Sequence, residues 1–238
     1  YDTEGKLWMT YGSWSGGVYI LEIDNTTGQP IYPGEDSDTD TINPTDRYFG
    51  KRIAVGYTQS GEGADVVYDS ETGYYYMFLS FGGLDSTGGY NIRVCRSEIP
   101  DGPYVDSMGQ EMEDCKGAAG TSFSDATAAL YGTKLMGGYK FLWKEGEEGE
   151  EREGYLSPGH NSCIYQEETD RYFIIYHTRF ENRGEEHEVR VHQMFFNEDG
   201  WPVIAPYRYT EESLKEYTKE ELAGNYKFIN HGREISAD

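Results

Sequence analysis

The sequence predicts an all-β protein made of repeated four-stranded antiparallel sheets. Three observations carry this prediction. A unit that opens on an acidic turn and runs into a dense aromatic stretch occurs three times, from Tyr1, Tyr68 and Tyr165. Each copy then passes through a glycine-containing connection into an alternating stretch. Composition agrees, since 22 tyrosines, 30 glycines and 15% aromatic residues in 238 residues suit strands joined by many turns.

The elements follow in order within each copy. The acidic turns run from Asp2 to Gly5, Asp69 to Gly73 and Gln166 to Asp170. The aromatic runs Leu7 to Tyr11, Tyr74 to Phe81 and Tyr172 to Tyr176 have the length and content of strands buried on both faces. Glycines 16 and 17, 82, 83, 88 and 89, and 184 mark the connections. Alternation follows at Val18 and Ile20, at Ile92 and Val94, and at Val189 and Val191, so each pair of stretches reads as a hairpin.

A turn recurs after the hairpin, at Thr27-Gly28-Gln29-Pro30, Asp101-Gly102-Pro103 and Asp199-Gly200-Trp201-Pro202. Glycine supplies positive φ there and proline a fixed φ. The stretches before Tyr68 and Tyr165 supply a first strand, which makes four strands per unit. Repeated four-stranded sheets are the blades of a β-propeller. The copies are further apart than the ~40–50 residues of an ordinary blade, so the surplus belongs to loops. A β-sandwich is the alternative, but it leaves the shared order of three elements unexplained.

The net charge of −23 and a pI near 4.5 speak against nucleic acid and anionic membrane surfaces as partners. Much of the charge falls in residues 145–151, which read as a solvated loop. The three cysteines, Cys95, Cys115 and Cys163, have neither paired nor zinc spacing and read as inert. Asn25-Thr26-Thr27 is a formal glycosylation triplet of a kind common by chance. Asp36-Ser37-Asp38-Thr39-Asp40 resembles the start of a calcium loop but fails it, with Thr41 where glycine is needed and Arg47 where glutamate is needed.

Two positions stand out for chemistry. Glu62 lies between Gly61 and Gly63 just ahead of a predicted strand, where neither neighbour hinders a ligand. A glycosidase needs such a carboxyl as general acid. His160, in Ser157-Pro158-Gly159-His160, holds the corresponding place in the third copy and is a candidate metal ligand on the channel axis. A solvated turn glutamate and a hydrogen-bonded loop histidine are the bland readings, and only the matching positions raise both residues above them. Ser13 and Trp14 end the first aromatic strand, where the indole is a candidate sugar platform or a loop anchor. Arg179, Arg183, His177, His187 and His192 crowd the third hairpin; the arginines are expected to pair with surface acids and the histidines to be structural.

These residues together resemble glycoside hydrolase family 43, and within it the extended extracellular endo-α-1,5-L-arabinanases. The resemblance rests on G-K-L-W-M-T-Y-G-S-W-S, S-G-E-G, Y-N-I-R-V-C-R-S, D-G-P-Y-V-D, S-P-G-H-N-S and N-E-D-G-W-P-V, and spans nearly the whole chain. It implies a five-bladed β-propeller, of which residues 1–210 form about three blades, the third to the fifth. Residues 211–238 are then a linker and the start of a C-terminal all-β domain.

It further implies an inverting hydrolase with Glu62 as acid, Ser13 and Trp14 near the substrate, and a calcium ion associated with His160 partly through water. The substrate is arabinan, and the full-length enzyme is secreted and monomeric. The aspartate base and the aspartate that tunes the acid fall upstream of Tyr1 in this scheme, so the chain alone is expected to be inactive. Ala64 stands where the family often has proline. An exo-acting arabinofuranosidase or xylosidase of the same fold, and a merely sugar-binding fragment, are the rival readings.

Near the end, Thr218 and Glu221 have the spacing of a capping box for a short helix.

Overall fold

The computed structural model describes residues 1–14, 16–37, 45–56, 59–117, 130–140, 145–146, 154–211 and 215–234. Residues 38–40 of the failed calcium loop and 147–151 of the acidic run lie outside the described residues, as does Ser15.

Three antiparallel sheets follow one another along the chain. The first holds β1 (Leu7–Ser13), β2 (Gly17–Ile23), β3 (Pro30–Ile31), β4 (Thr45–Asp46) and β5 (Gly50–Ala54), in the order β1-β2-β5-β4 with β3 also on β2. The second has the order β6 (Glu62–Asp69), β7 (Tyr74–Phe81), β8 (Asn91–Ser97), β9 (Thr133–Met136). The third repeats that order with β10 (Leu156–Gln166), β11 (Arg171–Arg179), β12 (His187–Phe196) and β13 (Pro202–Ile204).

The aromatic runs are β1, β7 and β11, each hairpin-paired to the alternating strand after it. The recurring tyrosine has a packing role: Tyr68 pairs with Tyr75 and Tyr165 with Tyr172, each couple with ring centroids 4.7 Å apart. The acidic turn has one too. Asp2 accepts from the amides of Glu4 and Lys6 and from the Trp8 indole, and Asp69 accepts from the Thr72 amide and hydroxyl.

Two apolar clusters hold the sheets face to face. Val18, Ile20 and Ile53 of the first sheet meet Tyr75, Met77, Leu79 and Phe81 of β7. Tyr76 and Phe78 of β7 point the other way and meet Cys163, Ile174, Tyr176 and Met194 of the third sheet. Strict alternation along β7 thus serves two interfaces at once. Burial on both faces, expected of all three aromatic runs, holds fully for β7. In β1 only alternate residues meet a neighbouring sheet, and Met9 remains 39% exposed.

The cysteines are free and buried, and burial pushes their resolved thiol pKa values, at Cys95 and Cys163, well above the ordinary range. The arginines of the third hairpin pair with acids as expected: Arg179 with Glu185, and Arg183 and Arg190 with Glu188. The capping box forms on the short helix α1 (Lys219–Leu222), where Thr218 and Glu221 exchange hydrogen bonds. Beyond it the tail returns to the second sheet. Ile229 packs beside the second cluster, Arg93 donates to the Arg233 carbonyl, and Lys134 donates to that of Glu234.

Candidate active site

Glu62 opens β6, the first edge strand of the middle sheet, and His160 lies in β10, the matching strand of the third. Both strands are irregular at these residues. The β6–β7 register shifts between Glu62 and Asp65, and the β10–β11 register shifts on either side of Gly159. Bulges of this kind re-aim a side chain out of the regular pleat.

The flanking glycines are needed for close approach. A Cβ on Gly61, at φ 151, would stand 2.6 Å from the Val55 side chain. One on Gly63, at φ 63, would press on the His160 ring at 3.4 Å. Backbone strain gathers at the same end of the sheets: Trp14 (φ 23), Val55 (φ 49), Ser157 (φ 46) and His160 (φ 51) all sit in the left-handed region without being glycine. Non-glycine residues persist there only when the surroundings over-determine them, and such strain concentrates at functional sites.

Both oxygens of the half-buried Glu62 carboxylate are held. The Trp14 indole Nε1 donates to Oε2 at 3.0 Å, and the Tyr90 hydroxyl donates to Oε1 at 2.5 Å. The Trp14 amide also donates to the Gly61 carbonyl at 3.2 Å, which pins the β1–β2 hairpin over the acid. Ser80, opposite Glu62 in β7, receives the His160 amide on its hydroxyl at 2.7 Å. The Tyr90 hydroxyl stands 3.5 Å from His160 Nδ1, and the His177 ring stacks on Tyr90 with centroids 5.8 Å apart.

Burial, then the bond to Glu62, pushes the Tyr90 hydroxyl pKa far up, so Tyr90 stays neutral. Burial, then the neighbouring His187, lowers His177 to about 4.

The structure therefore brings Glu62, Trp14 and His160 into one cluster. It leaves Ser13 at the end of β1 opposite Gly17, with no bond to the carboxylate among the described residues. Sequence reasoning missed Tyr90 and assigned His177 a purely structural place. Tyr90 carried no local signal except its position after Gly88 and Gly89, ahead of β8; His177 looked like one of several histidines in a hairpin. Trp14 holds the Glu62 carboxylate, and in that pose its indole N–H is committed to Glu62.

Calcium takes six to eight oxygen ligands. Among the described residues no group of three or more His, Cys, Asp or Glu gathers to hold a metal, so His160 suits such an ion only where water supplies most of the shell.

The chain as a whole is similar to known proteins. The chain is 52% identical over 238 residues to the extracellular endo-α-(1→5)-L-arabinanase 2 of Bacillus subtilis strain 168, a match covering 100% of this chain and 47% of that protein. It is 49% identical over 237 residues to the extracellular endo-α-(1→5)-L-arabinanase of Thermotoga petrophila, covering 99% of this chain and 46% of that one. The crystal structure of a glycoside hydrolase family 43 protein from Bacillus licheniformis superposes with a TM-score of 0.88 at 48% identity, over 100% of this chain and 49% of that chain. In sequence and fold the chain is similar to proteins of glycoside hydrolase family 43. No family model matches it. The chain spans about half the length of the curated relatives it matches. It is all-β, and its solved family 43 neighbours are β-propellers.

Proposed function

We propose that this chain is the acid-bearing part of an inverting, endo-acting family 43 hydrolase of α-1,5-linked arabinan. The observation that carries the reading is the Glu62 carboxylate, gripped through both oxygens by Trp14 and Tyr90 at a bulge of the edge strand β6. Glu62 protonates the leaving-group oxygen. A water on the opposite face of the sugar is activated by an aspartate base from a further sheet, with the two carboxyl groups ~6.5–9.5 Å apart as inversion requires. The names of the B. subtilis and T. petrophila relatives support arabinan as substrate and an extracellular location.

The faces of the two end sheets support further blades. Met9 and Phe49 on the first sheet are exposed, as are Ile164, Val191 and Val203 on the third, on faces turned away from the middle sheet. In the proposed reading two more sheets cover them and close a five-bladed ring. A calcium ion bound through water beside His160 belongs to the same reading, as does a C-terminal β domain that continues the tail docked on β9.

The test is Glu62→Gln in the closed enzyme. General acid catalysis is worth ~10²–10⁴-fold, and turnover of arabinan is expected to fall by that factor while binding survives. Near-normal turnover removes Glu62 from the mechanism. Early products decide the mode: mixed oligosaccharides mark endo action, monosaccharide alone marks exo action. The 238 residues by themselves are expected to turn over arabinan negligibly, and robust turnover by the purified chain would place the base within it.

A further inference from the structure

We infer that Tyr90 is a positioning residue, which aims the Glu62 carboxyl and strengthens its hold as that group gives up its proton. The inference rests on the reading of Glu62 as the acid. Tyr90 is fully buried although its hydroxyl ends at the site. Its ring is clamped on two sides. A Cβ on Gly159 would stand 2.2 Å from ring carbons of Tyr90, so only glycine lets the ring lie there. On the His177 side the two rings are nearly parallel, at 15°. A ring held this way cannot swing, and the hydroxyl is delivered 2.5 Å from Oε1.

A phenol both donates and accepts, whereas the indole of Trp14 only donates. With Tyr90 donating into Oε1, the inference places the reactive proton on Oε2, whose remaining lone pair still accepts from the Trp14 indole. During the reaction the glycosidic C–O bond breaks and its electron pair goes to the leaving oxygen. The proton on Oε2 moves to that oxygen, and the base-activated water supplies the new bond to the sugar carbon. Glu62 becomes a carboxylate, and the Tyr90 bond becomes charge-assisted, hence stronger. A bond that strengthens along the reaction path lowers the barrier and does not merely tighten substrate binding. His160 Nδ1, 3.5 Å from the hydroxyl, marks the other side of the same group.

The test compares Tyr90→Phe with the unaltered enzyme on two substrates. Arabinan has a poor leaving group that needs the acid; a dinitrophenyl arabino-oligosaccharide leaves without protonation. Losing a hydrogen bond to a developing charge is expected to lower kcat on arabinan roughly 10- to 150-fold, with KM little changed. On the dinitrophenyl substrate the rate is expected to stay within about twofold, which a merely structural defect would not permit. Equal losses on both substrates, or no loss on either, would overturn the inference. Glu62→Gln is the reference. If it lacks the same leaving-group dependence, the acid assignment itself fails. If it shows that dependence and Tyr90→Phe does not, Tyr90 alone is wrong.

Discussion

The middle sheet and the two end sheets begin from similar sequence and finish in different surroundings. β7 reads Tyr-Tyr-Tyr-Met-Phe-Leu-Ser-Phe and is buried at every position but its first. β1 reads Leu-Trp-Met-Thr-Tyr-Gly-Ser and is buried at none. β12 is exposed along its first half even at Val189 and Val191. An aromatic run states that a strand can be covered on both sides; a second neighbouring sheet is what covers it. Glu62 belongs to the fully sandwiched sheet, and the grip on its carboxylate comes from both that sheet and the adjoining hairpin. Tyr90 is on the middle sheet's own chain, while Trp14 reaches in from the first.

The sharpest way to break this comparison is to empty the middle sheet. Phe78→Ala removes a side chain with no exposed surface from the second cluster, and is expected to cost about 3–5 kcal/mol in urea unfolding. A cost below about 1 kcal/mol would show that the sandwich is loose.

The bridge from the middle to the third sheet should rank next. The Tyr172 hydroxyl donates to the Asp69 carboxylate at 2.7 Å, and Asp69 is almost wholly buried. Tyr172→Phe is expected to cost about 1–3 kcal/mol, because it strips a donor from a buried acid.

The tail provides a smaller, local contrast. His231 accepts from the Gly137 amide on Nδ1 and is held neutral by burial, its pKa lowered from 6.5 to about 4. An imidazole depressed on folding stabilises the docked state above its unfolded pKa, and that stability is lost as pH falls from about 6.5 toward 4. Protection of the amides around 229–234, corrected for the intrinsic pH dependence of exchange, should therefore be weaker at pH 4.5 than at pH 7.5. The change should vanish in His231→Phe, and unchanged protection would detach the tail from this histidine.

The smallest effect sharpens the comparison most. Met9→Ala, at a position 39% exposed, should cost about 0.5 kcal/mol or less in these 238 residues. With the proposed further sheet packed on it, the same change should cost about 2 kcal/mol or more. Equal small costs in both settings would argue against a sheet on that face.

By itself the sequence determined the local units: three hairpins, their turns, the capping box at Thr218 and the correspondence of Glu62 with His160. Each follows from alternation, turn chemistry or spacing over a few residues, and such short-range rules act wherever the segment lies. It also pointed to Trp14, through a motif by which the chain resembles family 43. The tertiary structure alone decided which strand is covered on both faces, since that depends on what packs beyond it. It alone showed that Tyr90 and His177, 87 residues apart in the chain, stack beside the acid. No local pattern marks a tyrosine whose ring rests on a glycine from another sheet. The contact depends on bulges in two edge strands, β6 and β10, that turn Glu62 and His160 toward the same point.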